Sequence, residues 1–251
     1  MSEPVIRAVG LHKRFGDHEV LKDLSLDVES GTITVILGSS GSGKSVFMKH
    51  LIGLLRPERG RVLIEGEDLN AAPSARRHRI RTGFGMVFQM AALFDSLSVF
   101  DNVAFPLNEH RKELNRAERR NKVYEKLEIL GISESAEKFP AELSGGMRKR
   151  VGLARAVVME PKFVLYDEPT TGLDPLSTES VDEMILRASK EFGVTSIVIS
   201  HDITSALRIA DSIAFLHDGR IVEEGPPARL RESEHPVVAR FFASWKEGLN
   251  A

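Results

Sequence analysis

The sequence predicts an α/β fold: a nucleotide-binding core of apolar strands, an N-terminal antiparallel β-subdomain and an inserted α-helical subdomain. Three observations lead there. Gly38-Ser39-Ser40-Gly41-Ser42-Gly43-Lys44-Ser45 is a complete phosphate-binding loop set between a strand and a helix. Four apolar runs each end in a polar group. From about Gln89 to Glu160 the strand pattern gives way to helices.

Taken in order, Val5–Val9 and Val20–Val28 read as antiparallel strands over the nucleotide, and Arg61–Glu65 as another. Thr32–Leu37 is a buried strand feeding the loop, and Val46, Phe47, Leu51, Ile52 and Leu55 give the following helix an apolar face. A glycine-rich loop opening a helix points backbone N–H groups and the positive end of the helix dipole at one spot. Lys44 can reach the β- and γ-phosphates and the Ser45 hydroxyl can ligand Mg²⁺, so the loop predicts a nucleoside triphosphate.

Ala117–Leu130 is the clearest helix of the inserted stretch. Further on, Ser144-Gly145-Gly146 precedes a helix with Met147, Val151, Ala154 and Val158 on one stripe. Ser144 sits where an N-cap belongs, and glycines leave backbone amides approachable. After Pro161 the sheet resumes, with helices at Pro175–Phe192 and Ile203–Ile209. Asp211–His217 and Arg220–Glu224 form a last hairpin around Asp218-Gly219, a turn dipeptide. The expectation is one domain over residues 1–251, with 1–88 and 161–251 as the nucleotide-binding core and 89–160 as the helical subdomain.

In open α/β sheets ligands bind beyond the carboxyl ends of the strands. Thr32–Leu37 delivers the phosphate loop, Gly85–Phe88 delivers Gln89, Phe163–Tyr166 delivers Asp167 and Glu168, and Thr195–Ser200 delivers His201. One carboxylate after a strand is commonly a helix cap. Four deliveries in this order read as a catalytic edge.

Together the phosphate loop, Leu143-Ser144-Gly145-Gly146-Met147 and Tyr166-Asp167-Glu168-Pro169 resemble the ATP-binding cassette (ABC) family over nearly the whole chain. The resemblance implies ABC ATPase architecture: a P-loop NTPase with a RecA-like core, hydrolysing ATP with Mg²⁺. It implies that Asp167 supports the Mg²⁺, that Glu168 positions and activates the attacking water, that Gln89 senses both, and that His201 contacts the γ-phosphate. Phe15, which alone reads as core, matches the aromatic that stacks on adenine, and Val46 closes the phosphate site. One nucleotide cradled by Gly38–Ser45 has little use for a second helix start from the same subunit. The family's answer is a homodimer, each chain turning Ser144, Gly145 and Gly146 to the other's γ-phosphate, with Thr170–Asp174 crossing the interface. Asp174 also reads as the cap of the helix at Pro175.

Composition sets limits. The 251 residues are 42% hydrophobic, enough for a core, and include no cysteine, which excludes disulfides and thiolate metal sites. Met1–Pro4 lack the basic and apolar regions of a signal peptide, and no apolar run approaches the ~20 residues that span a bilayer. The formal net charge of −2 argues against a nucleic-acid protein. Basic clusters at Arg76–Arg79, Arg148–Arg150 and Arg116–Arg120 read as solvated faces. The remaining histidines lack ligand spacing, so Mg²⁺ carried with ATP is the only expected metal.

The leading reading is the ATPase subunit of a membrane transporter. Ala92–Leu107 looks much like ATPases of Mla/Mce-type phospholipid-trafficking complexes. That resemblance implies an integral-membrane permease, a STAS-domain subunit and an MCE lipid-binding protein as partners, and a peripheral place on the cytoplasmic side of the bacterial inner membrane. Some such ATPases carry a longer C-terminal arm clasping neighbouring subunits. This sequence runs only briefly past Val237–Phe242, and whether so short a tail clasps a partner stays open at this point. An amino-acid importer subunit is the alternative within the class. A soluble ABC ATPase acting on nucleic acid or ribosomes would want tandem cassettes or a basic surface. A module without catalysis would not need Glu168 and His201.

Overall fold

The computed structural model describes residues 4–249. They divide into two compact units: residues up to Arg81 together with those from Thr195 onward, and Thr82–Val194. The expected helical stretch 89–160 falls inside the second unit, which also takes in strands on either side of it.

In the first unit β1 (Ile6–Phe15) and β2 (His18–Val28) form an antiparallel hairpin closed by the Phe15–His18 pair. β1 outruns the expected Val5–Val9. The ladder shifts register between Ala8 and Leu11, where Gly10 takes φ 58°, and the strand continues through this bulge to Phe15. Phe15 is therefore the last residue of a strand rather than part of a connection. A second irregularity at Asp23, φ 60°, lets Leu21, Leu24, Leu26 and Val28 all be buried despite their uneven spacing.

β3 (Ile33–Leu37) follows, then α1 (Lys44–Leu51), β4 (Arg59–Ile64), β5 (Glu67–Asp68) and α2 (Ser74–Thr82). The antiparallel sheet runs β2-β1-β4-β5. α2 buries none of its residues, and Arg76 pairs with Glu67 at 2.7 Å, so that basic cluster is a solvated face as expected.

The second unit holds β6 (Phe84–Val87), α3 (Val99–His110), α4 (Arg116–Ile129), α5 (Gly145–Val157), β7 (Phe163–Asp167) and α6 (Pro175–Phe192). β6 and β7 run parallel, pairing Val87 with Tyr166. Helix starts follow capping chemistry. Ser98 accepts from Asp101 N at α3, and Asn115 and Glu118 form a capping box at α4. α6 combines an Asp174 cap, Pro175 at its first turn and Gly193 at φ 60° past its end. α5 packs so closely on β6 that a Cβ at Gly85 would lie 2.4 Å from the Ala156 carbonyl oxygen.

The chain then returns to the first unit through β8 (Thr195–Ser200), α7 (Ile203–Ile209), β9 (Ser212–His217), β10 (Arg220–Gly225), α8 (Pro227–Arg231) and α9 (Pro236–Leu249). Here β10, β9, β3 and β8 lie side by side, and β3 is parallel to both β8 and β9. Paired on both edges, all five β3 residues are buried, which is why its sequence is an apolar run rather than an alternation. Asp218 (φ 44°) and Gly219 (φ 76°) make the β9–β10 turn. In α9, Phe241 packs edge-on to Phe215 at 4.9 Å, and Trp245 Nε1 donates to Thr204 Oγ1 at 3.0 Å. None of the described helices is long and apolar enough to cross a membrane.

Candidate functional site

In the first unit, the β3–β8 register pairs Leu37 with Ser200, so Gly38 and His201 each leave the same end of adjacent parallel strands. Gly38 must be glycine, because a Cβ there would lie 2.2 Å from the Leu216 carbonyl oxygen. Gly43, at φ 107°, turns the chain into α1, where Phe47 N donates to Gly43 O at 2.8 Å. Lys44 is buried, and its Nζ donates to Gly38 O at 2.7 Å and Ser39 O at 3.0 Å. An ammonium is thus held within the loop's own peptide groups, beside a helix N-terminus. Ser42 Oγ is buried and has no hydrogen-bond partner, while Ser39, Ser40, Gly41 and Ser45 are exposed and Val46 is half-buried. A buried cation, a buried hydroxyl without a partner and an exposed loop backbone leading into a helix are a donor set that fits a polyphosphate.

His201 is exposed at the end of β8, and Asp202 beside it caps α7 by accepting from Ser205 N at 3.1 Å. Phe15 is 48% exposed, with the Lys13 ammonium 5.4 Å from its ring centre. A ring so open at a strand end is not core packing. Behind the loop, His50 is fully buried and its Nδ1 lies 2.7 Å from Val46 O. Burial pushes the His50 pKa below its ordinary value, with the Val46 contact working the other way.

In the second unit, Gln89 and Glu168 each lie two residues beyond the Val87–Tyr166 rung. Gln89 is exposed, and Asp167 ends β7 half-buried. Glu168 adopts φ 49°, and its Oε2 accepts from Thr171 Oγ1 at 2.9 Å. A left-handed non-glycine residue costs about 1–2 kcal/mol, so the surroundings must impose it. After Gln89, Ala91 (φ 60°) and Ala92 (φ 46°) are left-handed as well.

α5 holds both strained segments. Arg155 donates through Nη2 to Ala91 O at 2.7 Å and through Nη1 to Ala92 O at 2.8 Å. Lys149 Nζ donates to the Pro169 carbonyl, directly after Glu168. Desolvation lowers both cations' pKa from the ordinary values. The sequence reading of Arg148–Arg150 as a solvated face is therefore corrected at Lys149, while Arg148 remains exposed. Lys149 is 8% exposed, Arg148 bonds Leu143 O at 2.6 Å, and Arg150 bonds Leu130 O at 3.2 Å. From Lys149 to Val157 most of α5 is buried, so Lys149 and Arg155 pair with loop carbonyls, whereas Arg148 stays exposed and Arg150 half-buried. Sequence reasoning missed Lys149 and Arg155. The signal for them is a cation set among small apolar residues with no bare polar side to the helix.

At the start of α5, Ser144, Gly145 and Gly146 are exposed, and Ser144 Oγ accepts from Met147 N at 3.3 Å. A Cβ at Gly146 would meet nothing within 4 Å, so its backbone stands open. Asp174 caps α6 through Ser177 N at 3.0 Å and Ser177 Oγ at 2.6 Å, and these bonds lower its pKa, the hydroxyl's foremost. The predicted residues thus divide between the two units: Phe15, Gly38–Val46 and His201 belong to one, and Gln89, Ser144–Gly146, Asp167, Glu168 and Asp174 to the other.

The sequence profile of the family described as ABC transporter matches residues 21–171. A probable ribonucleotide transport ATP-binding protein mkl of Mycobacterium leprae is 44% identical over 94% of this chain, which spans 68% of that relative. The chain spans 66% of the Mycobacterium bovis counterpart, just under two thirds of its length. The intermembrane phospholipid transport system ATP-binding protein MlaF of Haemophilus influenzae is 38% identical, over 99% of this chain and 94% of that protein. Among solved structures, cbiO1 from Clostridium perfringens, part of the ABC transporter complex cbiONQ, superposes with a TM-score of 0.84 at 30% identity, over 99% of this chain and 96% of that one. The ATP-binding cassette MJ0796, a dimer in a post-hydrolysis state bound to ADP and Pi, gives 0.77 at 30% identity, over 88% and 98%. With a phosphate loop built on a buried lysine and a family match across most of its length, the chain belongs to the ABC transporter family as an ATP-binding, ATP-hydrolysing subunit.

Proposed function

We propose that this subunit powers phospholipid trafficking through a partner permease, two copies closing around two ATP. The observation that carries the lipid reading is the end-to-end similarity to a phospholipid-transport ATPase, 38% over 99% of the chain and 94% of the relative. In this reading Phe15 stacks on adenine and Gly38–Val46 cradle the phosphates. Ser45, Gln89 and Asp167 would hold Mg²⁺, which when bound draws charge off the phosphates. Glu168 positions and deprotonates the attacking water, and His201 steadies the γ-phosphate. Ser144–Gly146 of the second copy complete the site, and Asp174 lies where the copies meet. Phosphoryl transfer asks the protein mainly for positioning and charge stabilisation, and these side chains supply both. The exposed, strained geometry after Gln89 suits docking of the permease, with STAS-domain and MCE proteins as further partners, on the cytoplasmic side of the inner membrane.

The mkl relatives, 44% identical, favour a second reading with a ribonucleotide as cargo. The complex purified from membranes separates the two. Co-purifying phospholipid, and ATPase activity that responds to phospholipid but not to added ribonucleoside, supports the lipid reading. The reverse response overturns it.

A further inference from the structure

We propose that Lys149 is a positioning residue for Glu168: through the Pro169 carbonyl, it fixes the backbone that sets where the Glu168 carboxylate points. The inference rests on Glu168 being the water-activating residue. Three observations meet at this spot. Glu168 is held at φ 49°, a conformation its own side chain does not favour. On its carboxylate side Thr171 Oγ1 donates at 2.9 Å, and on its backbone side Thr171 N donates to Glu168 O at 3.3 Å. The next peptide carbonyl, that of Pro169, is met by Lys149 from the interior of α5. Pro169 has no N–H and is buried, so its carbonyl is the one backbone hydrogen-bonding group that this residue itself offers.

Lys149 belongs to the helix that starts at Ser144, five residues earlier. An axial shift or tilt of α5 would reach the Glu168 loop through this hydrogen bond. The partner is a carbonyl rather than a carboxylate, so a donor is required and a charge is not. That distinction makes the proposal testable apart from a general loss of packing.

The test uses the full chain with the membrane subunits that co-purify with it. ATP turnover and nucleotide affinity are measured for Lys149→Met, Lys149→Gln, Glu168→Gln and the Lys149→Met/Glu168→Gln pair. Misplacing a reacting group by about 1 Å can cost on the order of 100-fold. Lys149→Met is expected to lower kcat about 10–100-fold, with KM and nucleotide affinity within about twofold. Lys149→Gln, which keeps a donor but shortens its reach, falls between Met and the parent. On the Glu168→Gln background Lys149→Met adds less than about twofold, because the group it positions is already lost. Parent-like kcat in Lys149→Met overturns the proposal, as does a full further drop in the double variant or a rise in KM alone. If Lys149→Met does not fold, parent-like kcat in Lys149→Gln overturns it, and a severalfold loss with unchanged KM supports it. Failure of the underlying reading looks different: Glu168→Gln alone would then turn over like the parent.

Discussion

Val87 and Tyr166 are register partners in a parallel pair of strands, and each is followed two residues later by a polar side chain, Gln89 on one strand and Glu168 on the other. Parallel neighbours end on the same side of a sheet, so equal offsets from one rung bring an amide and a carboxylate out on a common edge. Leu37 and Ser200 repeat the device in the other unit, releasing Gly38 and His201.

The role assigned to Glu168 predicts that Glu168→Gln binds MgATP but hydrolyses it far more slowly. Loss of a general base costs typically ~10²–10⁴ in rate, or roughly 3–5 kcal/mol of barrier. Lys44→Ala should instead weaken nucleotide binding, since its ammonium organises the loop through Gly38 O and Ser39 O. Single-turnover hydrolysis beside equilibrium binding separates the two. A Glu168→Gln variant turning over at the parent rate would remove Glu168 from the mechanism.

ATP that bridges two copies must favour the dimer by mass action. Light scattering of Glu168→Gln with and without MgATP should show dimer only with nucleotide. Ser144→Arg should abolish that response while leaving binding to Gly38–Ser45 intact. Losing its cap bond to Met147 N costs about 0.5–2 kcal/mol, a fraction of the roughly 5–15 kcal/mol that holds a domain folded. A monomer at saturating nucleotide would sink the sandwich.

The elements most legible in the sequence carry their own local boundaries. The helix near Pro175–Phe192 was readable because Asp174 and Pro175 fix the backbone at its start, and Gly193, at φ 60°, ends it in the structure. Ile33–Leu37 was readable because a strand paired on both edges must be apolar throughout. The continuation of β1 past Gly10 was hidden by a bulge, which breaks the alternation without ending the ladder. At the site, motif spacing identified the loop and the residues leaving each strand. It gave no hint of the left-handed Ala91, Ala92 and Glu168, nor of the cations holding them. Those depend on carbonyls 20 and more residues away in the chain, a relationship that no local pattern encodes.

His50 predicts a pH dependence. Burial lowers its pKa below the ordinary 6.5, so the unfolded chain binds the proton more readily than the folded one. The stability tied to neutral His50 is complete above the ordinary 6.5 and is lost progressively as pH falls from there through the lowered folded-state value. The urea midpoint should therefore drop between about pH 7 and about pH 5, and His50→Gln, which keeps a donor for Val46 O, should flatten that drop. Parallel curves for the two proteins would assign the titration to another group.

The last prediction concerns the permease and rests on Phe94. Its ring is 44% exposed and lies 4.8 Å from that of Phe105, itself 39% exposed, with the Arg155 guanidinium 5.9 Å away. The backbone beneath is anchored by one side chain. Asn102, fully buried, accepts from Phe94 N at 2.9 Å and donates to Phe94 O at 3.1 Å and Leu97 O at 3.0 Å. An open aromatic pair on fixed backbone is suited to receive the apolar face of a short helix. Through Arg155 the same surface is tied to Ala91 and Ala92, and so to Gln89. Leu93 is half-buried, so its substitution mixes docking with packing, whereas Phe94→Asp forfeits the ring pair, about 0.5–1.5 kcal/mol, and the Arg155 contact, about 0.5–1 kcal/mol. Phe94→Asp should thus lose co-purification with the permease and lipid-dependent growth, while MgATP binding and thermal stability change little. Retained co-purification and growth would discard the docking surface, and a large fall in stability alone would return Phe94 to the packing of its own unit.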